Sequence, residues 1–186
     1  MNIPNRLTLI RIFLIPIFVF LISTNIVQNS YMWGLIVFLV ASFTDFLDGY
    51  IARKQKLVTN FGKLMDPLAD KMLVISAMVI LVEQGLISGW VVIVIVSRDF
   101  IINSIRLMAS SKGNVIAADI WGKVKTVFQM LAIIMLLTYK SFFLVSNSRL
   151  CEYVKVAGDA LIYVAVVLTV ISACNYMVKN FDVWRF

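Results

Sequence analysis

The chain has 186 residues, 61% of them hydrophobic, with 17 Lys and Arg against 10 Asp and Glu for a net charge of +7. Soluble domains run near ~45–50% apolar, so this composition predicts an integral membrane protein, and at roughly 20 residues per helical crossing the length allows about six spans in a single domain over 1–186. The absence of histidine, with only Cys151 and Cys174 as thiols, excludes His acid/base catalysis, a zinc site and a disulfide framework, and leaves chemistry to carboxylates, hydroxyls and basic side chains.

The first apolar run, Ile12 to Ile22, follows Pro4-Asn5-Arg6. Ser23-Thr24-Asn25 is a poor cleavage site, so the run predicts a first transmembrane helix over about 6–26, preceded by a short interfacial segment, rather than a signal peptide. Further apolar segments over about 31–52, 67–84, 88–108, 120–139 and 153–178 predict five more, giving an all-α membrane protein of six transmembrane helices. The runs are continuous and lack the alternation of a barrel strand. Gly85-x3-Gly89 has helix-dimer spacing but straddles a short loop, where a turn is expected.

Lys and Arg distribution sets the expected orientation. With the N-terminus, the 52–66 and 106–125 loops and the C-terminus on one side, that side and its helix ends hold 14 basic residues, against Lys140, Arg149 and Lys155 on the other. The asymmetry predicts both termini in the cytoplasm, and it accounts for the basic charge without nucleic acid. Trp33, Trp90 and Trp184 fall near span ends, where interfacial aromatics collect.

Four of the ten acids fall within 26 residues: Asp45, Asp48, Asp66 and Asp70. Each pair, spaced i, i+3 and i, i+4, projects from one helix face. Gly49 and Ala52 share the first face, leaving carboxylate beside bare backbone. Antiparallel neighbours joined by the 53–65 loop would gather all four carboxylates at the cytoplasmic boundary. Such charges repel by several kcal/mol unless cations neutralise them. Oxygen-only ligands favour Mg²⁺ or Mn²⁺, and four carboxylates suit two ions. The alternative is that these acids cap helices or pair with Arg53, Lys63 and Lys71; Asp48-Gly49 can be a turn, and Asp66-Pro67 a helix start.

As one string the residues read Asp45-x2-Asp48-Gly49-x2-Ala52-Arg53-x8-Gly62-x3-Asp66-x3-Asp70. This string resembles the signature of the CDP-alcohol phosphotransferase family, whose members move a phosphoalcohol from a CDP-linked donor to an acceptor hydroxyl and release CMP. The resemblance implies that Asp45, Asp48, Asp66 and Asp70 hold two divalent cations, with Asp70 also the general base. It implies that Gly49, Ala52, Arg53, Thr59 and Gly62 hold the cytidine diphosphate, with Asn5 closing over it, and that the protein is a homodimer. The physics agrees: cations on a pyrophosphate stabilise the leaving group, Gly49 admits the nucleotide closely, and Arg53 can give a phosphate two parallel hydrogen bonds.

A second cluster bears on the acceptor. Arg98, Asp99 and Arg106 lie in the cytoplasmic half of the fourth span, and Gly122-Lys123-Val124-Lys125-Thr126 opens the fifth. Arg98 lies deep enough in its run to need an anionic partner, either Asp99 or a ligand. Taken together, Arg98, Arg106, Lys123 and Lys125 suit an acceptor that carries its own phosphate. Each could also be a topology marker or snorkel to the interface.

These stretches, with the opening Asn2-Ile3-Pro4-Asn5-x-Leu7-Thr8-x2-Arg11, resemble the bacterial phosphatidylglycerophosphate synthase branch of the family. That branch implies CDP-diacylglycerol and sn-glycerol 3-phosphate as substrates in the bacterial cytoplasmic membrane, with an active site facing the cytoplasm. Asp99 stands where Glu is expected, and Asn103-Ser104 where small apolar residues are usual. Inositol phosphate, serine or phosphatidylglycerol are the alternative acceptors. A divalent-cation transporter is the alternative class, but its carboxylates should line a midplane route.

Overall fold

The computed structural model describes residues 3–24, 26–55, 60–111, 120–143 and 149–179, with side chains at 7–24, 26–45, 65, 68–109, 120–142 and 149–179. Among the described residues there are six helices and no strand. They are α1 (Ile3–Thr24), α2 (Ser30–Gln55), α3 (Asn60–Glu83), α4 (Gly89–Ser111), α5 (Ile120–Phe143) and α6 (Arg149–Lys179). They match the expected segments and differ at the ends. α1 begins at Ile3, so the stretch expected to lie separately at the interface is continuous with the first helix; Pro4 falls in the first turn, where a missing N–H leaves no intrahelical bond unmade. α3 runs through Asp66-Pro67 instead of starting there.

Among the described residues, three helices are long and apolar enough to cross a membrane, over Leu7–Thr24, Ile120–Phe142 and Arg149–Lys179. Ser30–Asp45 is a shorter apolar stretch. α3 and α4 fall short because charged residues interrupt them: Asp66, Asp70 and Lys71 in one, Arg98, Asp99 and Arg106 in the other. The outward surface is apolar, with Phe13, Ile17 and Phe20 on α1 and Val156, Val167 and Val170 on α6 exposed. Large side chains on that face suit lipid rather than water as solvent.

α1 and α2 pack antiparallel along one register. Ile22 lies against Gly34, the Phe18 and Phe38 rings sit 5.8 Å apart, and Arg11 meets Asp45. A Cβ at Gly34 would stand 2.5 Å from Ile22 Cγ1 and Cδ1, so the close approach requires glycine. Successive inward positions on α1 are Thr8, Arg11, Ile15, Phe18 and Ile22, all buried at helical spacing. α3 ends in a Schellman motif: Gly85 takes φ 69°, its N–H donates to Val82 O at 2.9 Å, and Leu86 N–H donates to Leu81 O at 2.9 Å. The Gly85/Gly89 pair is therefore a helix end and the next helix start. Nearby, the Tyr31 hydroxyl is hydrogen-bonded to Gln84, joining α2 to the end of α3.

The main core takes residues from all six helices, among them Phe18, Phe38, Met78, Ile95, Leu136 and Ile162. Along α4 the buried positions Val91, Ile95, Ile102 and Ile105 are interrupted by Arg98 and Asp99. On α5, Lys125 and Gln129 precede Ala132, Ile133 and Leu136 on the buried face. Thus the inward stripes of α1, α2, α4 and α5 each carry charge in place of hydrocarbon, and those charges define the site.

Candidate active site

Asp70 follows Ala69 on α3, and Asp45 continues the inward stripe of α2 beyond Phe38 and Ala41. Arg11 Nη1 lies 2.6 Å from Asp45 Oδ1; the arginine side chain is fully buried, while the carboxylate keeps 39% of its surface open. Asp45, Arg11, Lys71 and Asp99 are all close enough to act electrostatically on Asp70. The other expected acid of each pair, Asp48 in one and Asp66 in the other, lies outside the described side chains. So do Asn5, Gly49, Ala52, Arg53 and Gly62, while Thr59 lies outside the described residues altogether.

No group of three or more His, Cys, Asp or Glu that could hold a metal is present among the described residues. What the donor set shows is two carboxylates, Asp45 and Asp70, on neighbouring helices at one end of the bundle. Asp45 is already oriented by a buried cation. Hard oxygen donors of this kind fit Mg²⁺ or Mn²⁺.

Beside Asp70 opens a cavity of about 210 Å³ between α3, α4 and α5. Its charged lining is Asp70 and Lys71 from α3, Arg98, Asp99 and Arg106 from α4, and Lys123 from α5. Asn103, Gly122, Thr126 and Gln129 add polar or bare-backbone surface. The expected base and three of the four expected phosphate-pocket cations therefore share one wall. Lys125 is placed differently: it is 1% exposed, and its Nζ donates to both carboxylate oxygens of Asp99, at 2.8 and 2.9 Å.

Arg98 is held from two sides. Its Nη1 donates to Asp99 Oδ1 at 3.2 Å, and its Nη2 donates to the Ser172 hydroxyl on α6. Gly122 explains the fit, because a Cβ there would lie 3.2 Å from Arg98 Nη2 and 3.7 Å from Ser172 Oγ. Arg106 stacks over the Tyr176 ring at 5.6 Å. The buried Nε atoms of Arg98 and Arg106 have no hydrogen-bond partner among the described residues. Donors buried without partners are costly, so a cavity lined by two guanidinium groups and two lysines suits an anion.

Several residues that line the cavity or hold its lining carry little signal in the sequence. By sequence Lys71 is a topology charge or a counter-ion for the aspartates; in the structure it lines the cavity and its Nζ donates to the Asp99 carbonyl at 3.2 Å. Ser172 and Gln129 sit inside apolar runs, where a single polar residue on the buried face was the available signal. Gln129 Nε2 lies 2.9 Å from Met78 Sδ. In the sequence Arg11 stands as one of the basic residues on the expected cytoplasmic side and as part of the opening stretch, with no sign of its partner Asp45.

Comparison with known proteins gives these contacts a context. A family model described as CDP-alcohol phosphatidyltransferase matches residues 1–171. A protein of Bacillus subtilis named CDP-diacylglycerol–glycerol-3-phosphate 3-phosphatidyltransferase is 42% identical, covering 97% of this chain and 96% of its own length. Proteins of the same name from Haemophilus influenzae and Escherichia coli K12 are 39% and 38% identical, each over 95% of this chain and 91% and 93% of their own lengths.

Proposed function

The chain belongs to the CDP-alcohol phosphatidyltransferase family, and from that premise we propose that it transfers the phosphatidyl group of CDP-diacylglycerol to sn-glycerol 3-phosphate. The products are phosphatidylglycerophosphate and CMP. The observation that carries the choice of acceptor is the cavity in which Asp70 lies among Lys71, Arg98, Arg106 and Lys123. An acceptor without phosphate would leave those cations without purpose; one with a phosphate monoester satisfies them and brings its hydroxyl toward Asp70.

In this reading the acceptor phosphate takes hydrogen bonds from Arg98 and Arg106 and is attracted by Lys123 and Lys71. A free hydroxyl then lies within reach of the Asp70 carboxylate. As the acceptor oxygen bonds to the phosphatidyl phosphorus, its proton passes to Asp70, and the bond from that phosphorus to the CMP oxygen breaks. Asp45 and Asp70, together with Asp48 and Asp66, are the residues that would hold Mg²⁺ or Mn²⁺, as two ions where all four carboxylates ligate. Bound there, the cations would neutralise charge on the pyrophosphate and the leaving CMP. Gly49, Ala52, Arg53, Thr59, Gly62 and Asn5 are assigned to the cytidine diphosphate.

The same reading takes the six helices as six membrane spans with both termini in the cytoplasm, in a bacterial plasma membrane and as a homodimer. Charged α3 and α4 would then cross beside the other four, their ionised residues turned into the bundle. The diacylglycerol tails would stay in lipid while the soluble acceptor enters from the cytoplasmic face.

The test is CMP release by purified full-length protein in mixed micelles with CDP-diacylglycerol and Mg²⁺. Glycerol 3-phosphate, inositol phosphate, serine and phosphatidylglycerol are compared as acceptors. Release with glycerol 3-phosphate, lost in Asp70→Asn of unchanged thermal midpoint, is the expected result. Release only with an acceptor lacking a phosphate monoester would overturn the pocket assignment.

A further inference from the structure

Asp99 is an acid in the wall of a cavity otherwise crowded with cations. Beside Asp70 it is the other carboxylate among the described lining residues. Left as a bare negative charge it would oppose a phosphate in that space. Its contacts give it another use. Both of its oxygens accept from Lys125 Nζ, at 2.8 and 2.9 Å, and Oδ1 also accepts from Arg98 Nη1 at 3.2 Å. Its backbone carbonyl accepts from Lys71 Nζ at 3.2 Å. One residue thus touches a cation from each of α3, α4 and α5.

The two ammonium and guanidinium partners differ in where they stand. Lys125 is buried at 1% exposure and does not line the cavity, so Asp99 lies between its Nζ and the open space. Arg98 lines the cavity, with Ser172 on one nitrogen and Asp99 on the other. A planar guanidinium fixed at both Nη atoms has a single orientation, which leaves its buried Nε the unpartnered donor.

We propose that Asp99 is the positioning residue of the acceptor pocket, orienting the Arg98 guanidinium toward the acceptor phosphate. The proposal rests on reading this cavity as the acceptor site. The phosphate is then met by Arg98, Arg106 and Lys123, while Lys125 serves as the buried counter-ion that holds Asp99 in place.

The experiment measures kcat and KM for glycerol 3-phosphate, at saturating CDP-diacylglycerol, in D99N, D99E and the double variant D99N/K125M. In D99N the KM for glycerol 3-phosphate should rise about tenfold, with kcat and the KM for CDP-diacylglycerol close to wild type; D99E should recover most of the loss. The double variant should match D99N, because Arg98 stays unanchored in both. Return of the double variant to the wild-type KM would overturn the proposal, since Asp99 would then serve only as a counter-ion for Lys125. A KM raised well beyond that of D99N would also overturn it, since Lys125 would then meet the phosphate. If D99N alone fails to fold, D99N/K125M, which removes the buried counter-ion together with the charge, decides: a wild-type acceptor KM in protein of wild-type thermal midpoint refutes positioning. Failure of wild-type protein to use glycerol 3-phosphate at all would instead sink the parent reading, and is seen before any variant is made.

Discussion

Replacing Gly122 by alanine separates the role of Arg98 from the stability of the helix that carries the glycine. Alanine in a helix interior is favoured over glycine by about 1 kcal/mol. Gly122 is the third residue of α5, so part of that gain is available. Against it stands one contact: the new Cβ would lie 3.2 Å from Arg98 Nη2. That nitrogen must give way by a few tenths of an ångström, and it is the one bonded to Ser172. The guanidinium therefore tilts at the end that Ser172 and Asp99 hold. A hydrogen bond to a charged group contributes about 1.5–3 kcal/mol. Losing roughly half of one such bond to the acceptor corresponds to about a three- to tenfold rise in KM.

The assay is paired: the thermal midpoint in detergent, and steady-state CMP release with glycerol 3-phosphate and CDP-diacylglycerol varied in turn. G122A should hold or raise its midpoint, raise the KM for glycerol 3-phosphate, and leave the KM for CDP-diacylglycerol unchanged. A raised midpoint with no change in acceptor KM would refute the reasoning, because Arg98 would have moved without consequence. Equal rises in both KM values with a lowered midpoint would mean that α5 had repacked.

Three further outcomes follow from other contacts. Arg98→Lys keeps the charge but loses the planar fork held by Ser172 and Asp99, so the KM for glycerol 3-phosphate should rise by more than about tenfold in steady-state kinetics; an unchanged KM would remove Arg98 from the pocket. Asp45→Asn takes a carboxylate from the fully buried Arg11, and should cost about 1–3 kcal/mol of stability, read as a lower thermal midpoint in protein kept free of divalent cations. Gly158→Ala would bring a Cβ within 2.9 Å of Leu136 Cδ2 and 3.0 Å of its Cγ. Overpacking of about 1–3 kcal/mol should exceed the propensity gain and lower the midpoint, with both KM values unchanged; a more stable variant would show that α5 and α6 yield there.

Much of the fold was legible because its signals are local. Continuous apolar runs gave the helices, and Gly85 marked the end of α3 because that position takes φ 69°. The four aspartates and the Arg98–Arg106 and Gly122–Thr126 stretches could be found by spacing alone. What spacing could not reveal was pairing between helices. Arg11 and Asp45 are 34 positions apart, and they meet because Phe18 with Phe38 and Ile22 with Gly34 set the register of α1 on α2. Lys125 was grouped with its motif neighbour Lys123, although residues two apart on a helix face different ways. One lines the cavity and the other is buried behind it. Ser172 gave only a weak signal, since a hydroxyl in an apolar span often bonds only to its own helix, as Thr169 does to Ala165 O.

The two buried cations share one logic. Arg11 and Lys125 are each almost wholly enclosed, and each binds a carboxylate that remains partly open: Asp45 at 39% and Asp99 at 25% of the side chain. A carboxylate at the end of an apolar bundle would otherwise be free to choose among rotamers and partners, at the cost of orientation when a substrate arrives. A cation fixed behind it, in a low-dielectric core, makes one rotamer dominant. Desolvating the pair has its own cost, so stability alone is a poor reason to keep it. Both pairs flank Asp70, whose charge environment includes Asp45, Arg11 and Asp99. The arrangement puts rigidity on the two sides from which the donor and the acceptor would reach Asp70 as the proposed base, which is where preorganisation reduces the reorganisation left to the reaction itself.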